Sequence, residues 1–268
     1  MTTAVRAVSD SAVPGPATNH ETRAGTGTST VTSPKRLARI AGVLYLLVGI
    51  TGGFAEGFVE PKVYVAGDAA ATAAAVVANA GLVRLGVVSD LLDQTFFVFL
   101  ALTLYVLLQH AHRSVARAMV VLVALAAGIS SLNAVFEFAG LRVATGEIDM
   151  AALGTAGSNA VVLLLLDMQH YGLLVAQIFF GLWLVPLGYL AYKSAMFPKA
   201  LAGVLIVGGA CYLIDLLAAF LLPSVSQQFH GFIVIPCAIA EIWMVLYLLV
   251  WGVRTVRPVG DKHDKHSS

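Results

Sequence analysis

From Leu37 onwards the chain alternates long apolar blocks with short polar connections. A membrane-crossing helix needs about 20 predominantly apolar residues. Six stretches meet that length: 38–59, 84–109, 118–141, 169–192, 200–222 and 231–253. Pro223 closes the fifth and Pro198 stands just before it, as prolines do at helix ends. Pro186 lies inside the fourth and predicts a kink there. Pro236 falls near the start of the sixth, close enough to its first turn to do little. Two connections are longer than a turn. The segment Asp68-AAATAAAVVANAG-Leu82 predicts a short helix with Asp68 as its N-cap, joined to the second span near Gly81. Residues 148–166 end in Asn159-AVVLLL-Leu166, apolar but too short to span. Each is expected to lie as an interfacial or re-entrant helix over the outer face.

The fold class that follows is all-α: an integral membrane bundle of six transmembrane helices, residues 35–257, with two short outer-face helices. Residues 1–34, rich in Thr, Ser, Ala, Gly and Pro, bury too little apolar area to offset their ordering entropy and predict a disordered cytoplasmic tail. Residues 258–268 form a second polar cytoplasmic tail. Composition agrees with this division. The 268 residues are 59% apolar and 12% charged, with a mean hydropathy of +0.86. Soluble domains carry about 25% charged residues, so a water-soluble globule is excluded. A net charge of +1 points to no nucleic-acid partner. Cys211 and Cys237 stand singly in apolar runs, which excludes a disulfide framework and a cysteine-built zinc site. The phosphate-binding GxxxxGK[ST], GxGxxG, GxSxG and haem-attaching CxxCH signatures are absent, and no cofactor is expected.

Basic residues set the orientation, because Lys and Arg near span ends favour the cytoplasm. Lys35, Arg36, Arg39, Arg113, Arg117, Lys193, Lys199, Arg254 and Arg257 fall on one side; Lys62, Arg84 and Arg142 fall on the other. Strict alternation places both termini in the cytoplasm of a plasma or inner membrane.

Three blocks carry a resemblance: Arg36-LARIAGVLYLLVGITGGFAEGFVEP-Lys62, Gly67-DAAATAAAVVANAGLVRLGVVSD-Leu91, and His170-YGLLVAQIFFGLWLVPLGYLAYKSAMFPKALAGVLIVGGACYLID-Leu216. In order and content they resemble a bacterial multi-pass family, the domain of unknown function 4386, over about 36–253. The resemblance implies an integral membrane protein. It brings no assigned reaction or ligand, so no catalytic residue is carried across.

Candidate chemistry lies in the ionisable residues within or beside the spans: Glu56, Asp90, Asp93, Glu137, Asp167, Asp215 and Glu241, with Arg84, Arg142 and His170 as the cations. A carboxylate near a helix centre costs roughly 2.5–3.5 kcal/mol to insert, so such residues are directed inward, paired or functional. Counted from the cytoplasmic basic residues at about 1.5 Å per residue, Glu241 lies ~20 Å deep, Glu56, Asp93 and Asp215 ~25 Å, and Glu137 ~30 Å. All sit in the outer half, above an inner half that is almost purely apolar. This one-sidedness predicts a polar cavity open to the outer face and closed by an apolar plug.

Three readings compete. In a purely structural one, the acids pair with Arg84, Arg142, His170 and backbone groups to fix helix contacts. In the second, Glu56, Asp93, Asp215 and Glu241 form the core of a site that binds or moves a cation, proton or small polar solute. In the third, His170 and His230 join Asp90 and Asp93 around a metal ion in a membrane-embedded enzyme, although no HExxH or comparable pairing exists. A scaffold or partner subunit without chemistry is a further alternative. Gly49, Gly53 and Gly57 form two GxxxG steps, read as packing inside the monomer or, more sharply, as a homo-oligomer seam. The partners are the lipid bilayer and a small solute or cation.

Overall fold

The computed structural model describes residues 33–254, less the side chains of residues 223–230 and of Val234. The expected tails, 1–34 and 258–268, lie almost wholly outside the described residues. All regular structure among the described residues is helical. Helix α1, Pro34–Phe54, continues through a π turn at Ala55–Val59 into the four-residue α2, Glu60–Val63. The short α3, Ala69–Ala78, follows. Then come α4, Ala80–Leu108, α5, Arg113–Ala144, α6, Gly154–Ser194, α7, Lys199–Leu221, and α8, Pro223–Val250. Six of these segments are long and apolar enough to cross a membrane, α1 through α2 counting as one.

Local chemistry explains most boundaries. Ser33 caps α1, with Pro34 at its first position, where a missing N–H costs nothing. Asp68 caps α3 as expected, its Oδ1 accepting from the Ala71 amide at 2.9 Å. His112 caps α5 through Nδ1, which accepts from the Val115 amide at 3.3 Å. Asn79 separates α3 from α4.

Two expectations are corrected. Residues 159–166 are not a separate covering helix. They form the first turns of the 41-residue α6, which runs unbroken past Asp167, because no glycine or proline between Asn159 and His170 interrupts the helical hydrogen bonds. Pro236 does not lie near the start of its helix either. Chain from Pro223 is already helical, so Pro236 sits in the interior of α8 and leaves the carbonyl of Phe232 without its usual donor. Pro186 interrupts α6 as expected.

The six long helices form a closed ring in the order α1, α4, α5, α6, α7, α8, each packing on the next and α8 returning to α1. Small residues set the closest approaches. A Cβ on Gly209 would lie 2.6 Å from the Gly181 carbonyl oxygen across the α6–α7 seam, and one on Gly42 would lie 2.9 Å from the Leu249 amide across α1–α8. The chain enters and leaves the ring at one end, where the Arg254 amide donates to the Met196 carbonyl at 3.1 Å. That end is rich in Lys and Arg. Its interior is a continuous apolar core including Leu100, Leu104, Trp183, Leu187 and Met244, all buried. The opposite end has a smaller core of Val59, Val63, Val76, Val83, Val162 and Leu166 beneath α3.

Candidate functional site

Between these two cores lies a cavity of about 400 Å³ lined by Glu56, Glu60, Asp90, Asp93, Gln94, His170, Leu173, Leu174, Gln177, Phe180 and Tyr212. The residues come from four elements: α1 with its extension, α4, α6 and α7. From His170 to Phe180 is ten residues of helix, or about 15 Å of wall at the usual rise.

The first wall depends on the π turn. Pro61 cannot donate to the Gly57 carbonyl and its ring crowds that oxygen. The chain widens instead, the Glu60 amide reaching back five residues to the Ala55 carbonyl. Such π turns often mark functional positions. This one presents Glu56 and Glu60, four residues apart, to the cavity.

The second wall is α4, where a one-turn spacing puts Asp90 and Gln94 on one face beside Asp93. All three are buried. Gln94 Nε2 donates to Asp93 Oδ2 at 2.8 Å and to Asp90 Oδ1 at 3.3 Å. The Thr51 hydroxyl lies 3.3 Å from Asp93 Oδ1 and 2.8 Å from the Leu47 carbonyl, so its single proton serves one of them at a time. Gly52 leaves room for that carboxylate: a Cβ there would stand 3.2 Å from Asp93 Oδ1. The Ser89 hydroxyl donates to the Thr51 carbonyl at 3.0 Å, closing the α1–α4 contact.

The third wall is α6. His170 Nδ1 lies 2.7 Å from Glu60 Oε1, and its ring stacks on Tyr64 at 5.1 Å. The Tyr64 hydroxyl donates to Asp167 Oδ1 at 2.6 Å. Burial first, and this bond to a carboxylate second, push the Tyr64 hydroxyl above its ordinary pKa. Asp167 and His170, three apart on one face, are thus both held by Tyr64. Deeper in, Gln177 Nε2 donates to Asp215 Oδ2 at 3.2 Å. Below Phe180 an aromatic floor separates the cavity from the apolar core. Phe97 lies 5.5 Å from Phe180 and edge-on to Trp183 at 5.0 Å, and Trp183 meets Tyr45 at 5.7 Å.

Of the four core candidates, Glu56 and Asp93 line the cavity directly. Asp215 lies one hydrogen bond behind it through Gln177. Glu241 stands within electrostatic range of Asp93 and Tyr212. Asp90 and His170 also line it, and Glu137 lies behind, within electrostatic range of Asp90 and Glu60.

Arg84 and Arg142 depart from expectation, for they neutralise none of these acids. Both grip Glu147 in the α5–α6 connection, Arg84 at 2.5 Å and Arg142 at 3.4 Å, as exposed pairs. The Arg84 hydrogen bond holds the Glu147 carboxyl below its ordinary pKa. His170 is consequently the only basic residue among those lining the cavity, against four carboxylates. The glycine stripe is also corrected as intramolecular packing. Cβ atoms on Gly49, Gly53 and Gly57 would meet nothing within 4 Å, so the stripe faces outward.

Among the described residues, no group of three or more His, Cys, Asp or Glu could hold a metal ion. The His230 side chain, named for such a site, lies outside the described residues. Sequence reasoning missed Glu60, Gln94, Gln177, Tyr64, Tyr212 and Glu147. One signal was present: Gln94-Thr-Phe-Phe and Gln177-Ile-Phe-Phe repeat a short pattern, and both glutamines prove to be cavity residues that donate to aspartates.

A family model described as a domain of unknown function (DUF4386) matches residues 40–252, and the chain belongs to that family. No curated protein and no solved structure matches it.

Proposed function

We propose that this member of the family is a membrane-embedded binding protein whose central acidic chamber takes up a cation, a proton or a small polar solute. The observation behind this reading is the convergence of Glu56, Glu60, Asp90 and Asp93, from two helices, on one cavity of about 400 Å³ with a single histidine to offset them. Carboxylates used only to fix helix contacts would each end on a cation or a backbone donor. Here the two available arginines are bound elsewhere, and Glu56 Oε2 is buried without a partner. Like charges drawn together in a low-dielectric space favour a bound cation or proton.

In our reading the basic end lies in the cytoplasm, by the preference of Lys and Arg for that side, and the chamber faces the outside of a plasma or inner membrane. Passage to the cytoplasm would require the floor of Phe97, Phe180 and Trp183 and the core beneath it to part. Binding is therefore the primary activity, and translocation would need a second conformation.

Thermal stability of the purified protein tests this. A ligand of the native state adds RT ln(1 + [L]/Kd), about 2.7 kcal/mol at a hundredfold excess over Kd. Titration with Na⁺, K⁺, Mg²⁺, amines and neutral polyols is expected to find at least one solute that stabilises the wild type and loses its effect in Asp93→Asn. A flat response to every solute, together with no effect of pH that Asp93→Asn and Glu56→Gln alter, would overturn the reading.

A further inference from the structure

Resting on that reading, we propose that the chamber is shaped for an organic ammonium ion, whose N–H groups meet Gln94 Oε1 and the Asp90 and Asp93 carboxylates while its carbon skeleton lies along Leu173, Leu174, Phe180 and Tyr212. Recognition centres on Gln94. Its side chain is 4% exposed, yet Oε1 has no partner. The amide nitrogen is committed to both aspartates, which fixes the orientation of the amide and leaves its oxygen a buried acceptor without a donor, in a residue that lines the cavity. A buried carbonyl oxygen without a donor costs about 1–3 kcal/mol, and a ligand bringing an N–H would remove that cost. Glu56 Oε2 is also buried without a partner, although the Glu56 carboxyl meets that of Glu60. The polar part of the chamber therefore offers acceptors, and its complement is a donor carrying positive charge.

The rest of the wall decides which cation. About 400 Å³ falls at the small end of pockets that enclose organic ligands, which run about 300–1,000 Å³, and is far more than one inorganic ion fills. The carboxylates do not gather as a coordination shell, since no three acidic or histidine groups among the described residues could hold a metal ion. Leu173 and Leu174 offer nothing to a hydrated ion or a polyol but would cover an alkyl chain. Phe180 and Tyr212 add ring surfaces to which a cationic group is drawn. A quaternary ammonium lacks the N–H groups that the acceptors require, so primary and secondary ammonium ions are preferred.

The experiment is equilibrium calorimetry on the full-length protein in lipid nanodiscs, with empty nanodiscs as reference. The probes are methyl-, butyl- and hexylammonium, tetraethylammonium, hexanol, Na⁺, K⁺ and Mg²⁺. Primary ammonium ions are expected to bind, with affinity rising about fourfold per methylene until the chamber is filled, and hexanol and tetraethylammonium to bind at least tenfold more weakly than hexylammonium. Gln94→Met should weaken hexylammonium at least tenfold. Leu173→Trp, which fills the apolar part and spares the acids, should abolish hexylammonium binding and keep methylammonium. Tetraethylammonium or hexanol matching hexylammonium would overturn the inference, as would unchanged affinity in both variants. Saturable binding of Na⁺, K⁺ or Mg²⁺ with no alkylammonium binding would overturn it while sparing the wider reading of an acidic solute site. No binding of any probe, with the flat stability response described above, would overturn both.

Discussion

Replacing Gly209 by alanine probes the seam between α6 and α7, both of which line the cavity. A Cβ there would lie 2.6 Å from the Gly181 carbonyl oxygen, 3.2 Å from Val185 Cγ2 and 3.3 Å from Leu184 Cβ. Ordinary contact begins at 3.4 Å, so α6 and α7 would have to separate by about 0.8 Å at a point where the obstacle is backbone and cannot rotate away. Overpacking of this kind costs about 1–3 kcal/mol. Alanine also gains up to about 1 kcal/mol of helix propensity over glycine, which would disguise a small cost. The comparison is therefore with Gly49→Ala, at a position where a Cβ meets nothing within 4 Å. The propensity gain is common to both substitutions, and their difference isolates the packing term. Equilibrium unfolding by SDS titration in mild detergent should place Gly209→Ala about 1–3 kcal/mol below Gly49→Ala. Because Tyr212 lies one turn from Gly209 and lines the chamber, any ligand stabilisation should weaken as well. Equal stability of the two variants would refute the claim that the α6–α7 approach is set by bare glycine backbone.

Four further outcomes follow from particular contacts. Ala195 ends α6 at φ 54°, a left-handed conformation that glycine adopts freely, so Ala195→Gly should raise stability by about 0.5–1 kcal/mol in the same titration. Glu147 is held below its ordinary pKa by Arg84, so its ion pair contributes stability above the usual carboxylate range, near pH 4.3, and loses it as pH falls through the lower folded value. The melting temperatures of wild type and Glu147→Gln should therefore differ slightly at pH 7 and converge in acid, and a difference that grows in acid would reverse the sign of the argument. Tyr64→Phe keeps the stack on His170 but removes the hydrogen bond to Asp167, and should cost about 0.5–1.5 kcal/mol; no loss would show that bond to be idle. With Cys211 and Cys237 replaced, an impermeant thiol reagent applied to intact cells should label Ala70→Cys and leave Ser114→Cys unlabelled, the reverse pattern requiring the inverted topology.

The ring of helices was legible because insertion in a bilayer imposes a length and an apolar content on every span, and both are written directly in residues 38–253. Helix ends were legible where a cap or a proline enforces them, as at Asp68, Pro198 and Pro223. They were misread where an apolar run continued into a span with no punctuation, as at Asn159–His170. The one-sided placement of the acids, read from depth alone, singled out Glu56, Asp93, Asp215 and Glu241, with Asp90 and His170 beside them; Glu56, Asp90, Asp93 and His170 line the cavity, while Asp215 and Glu241 are not among its lining residues. What a linear sequence cannot convey is azimuth across helices. Arg84 lies at a suitable height to meet an acid of another span, yet it points out of the bundle to Glu147. Gly49, Gly53 and Gly57 form the familiar small-residue spacing but face outward, while the glycines that set helix approach, Gly42, Gly181 and Gly209, have no such pattern. Glu60 was passed over because it lies beyond the apolar run of the first span. The π turn that brings it to the cavity arises from the strain of Pro61, which no hydrophobic periodicity records.

The central claim is that Glu56, Asp90 and Asp93 face one chamber that solutes can enter. Carboxyl labelling measures this directly. Membranes containing the protein are treated with a water-soluble carbodiimide and a small amine nucleophile, and modified residues are mapped by mass spectrometry, with exposed Glu147 as the internal standard. The account predicts adducts on at least one of Glu56, Asp90 and Asp93, formed less readily when Leu173→Trp narrows the chamber against the bulky carbodiimide while leaving room for a methylammonium-sized ion, and Glu147 modified equally in both proteins. Modification of Glu147 with none of the three chamber carboxylates labelled would contradict it.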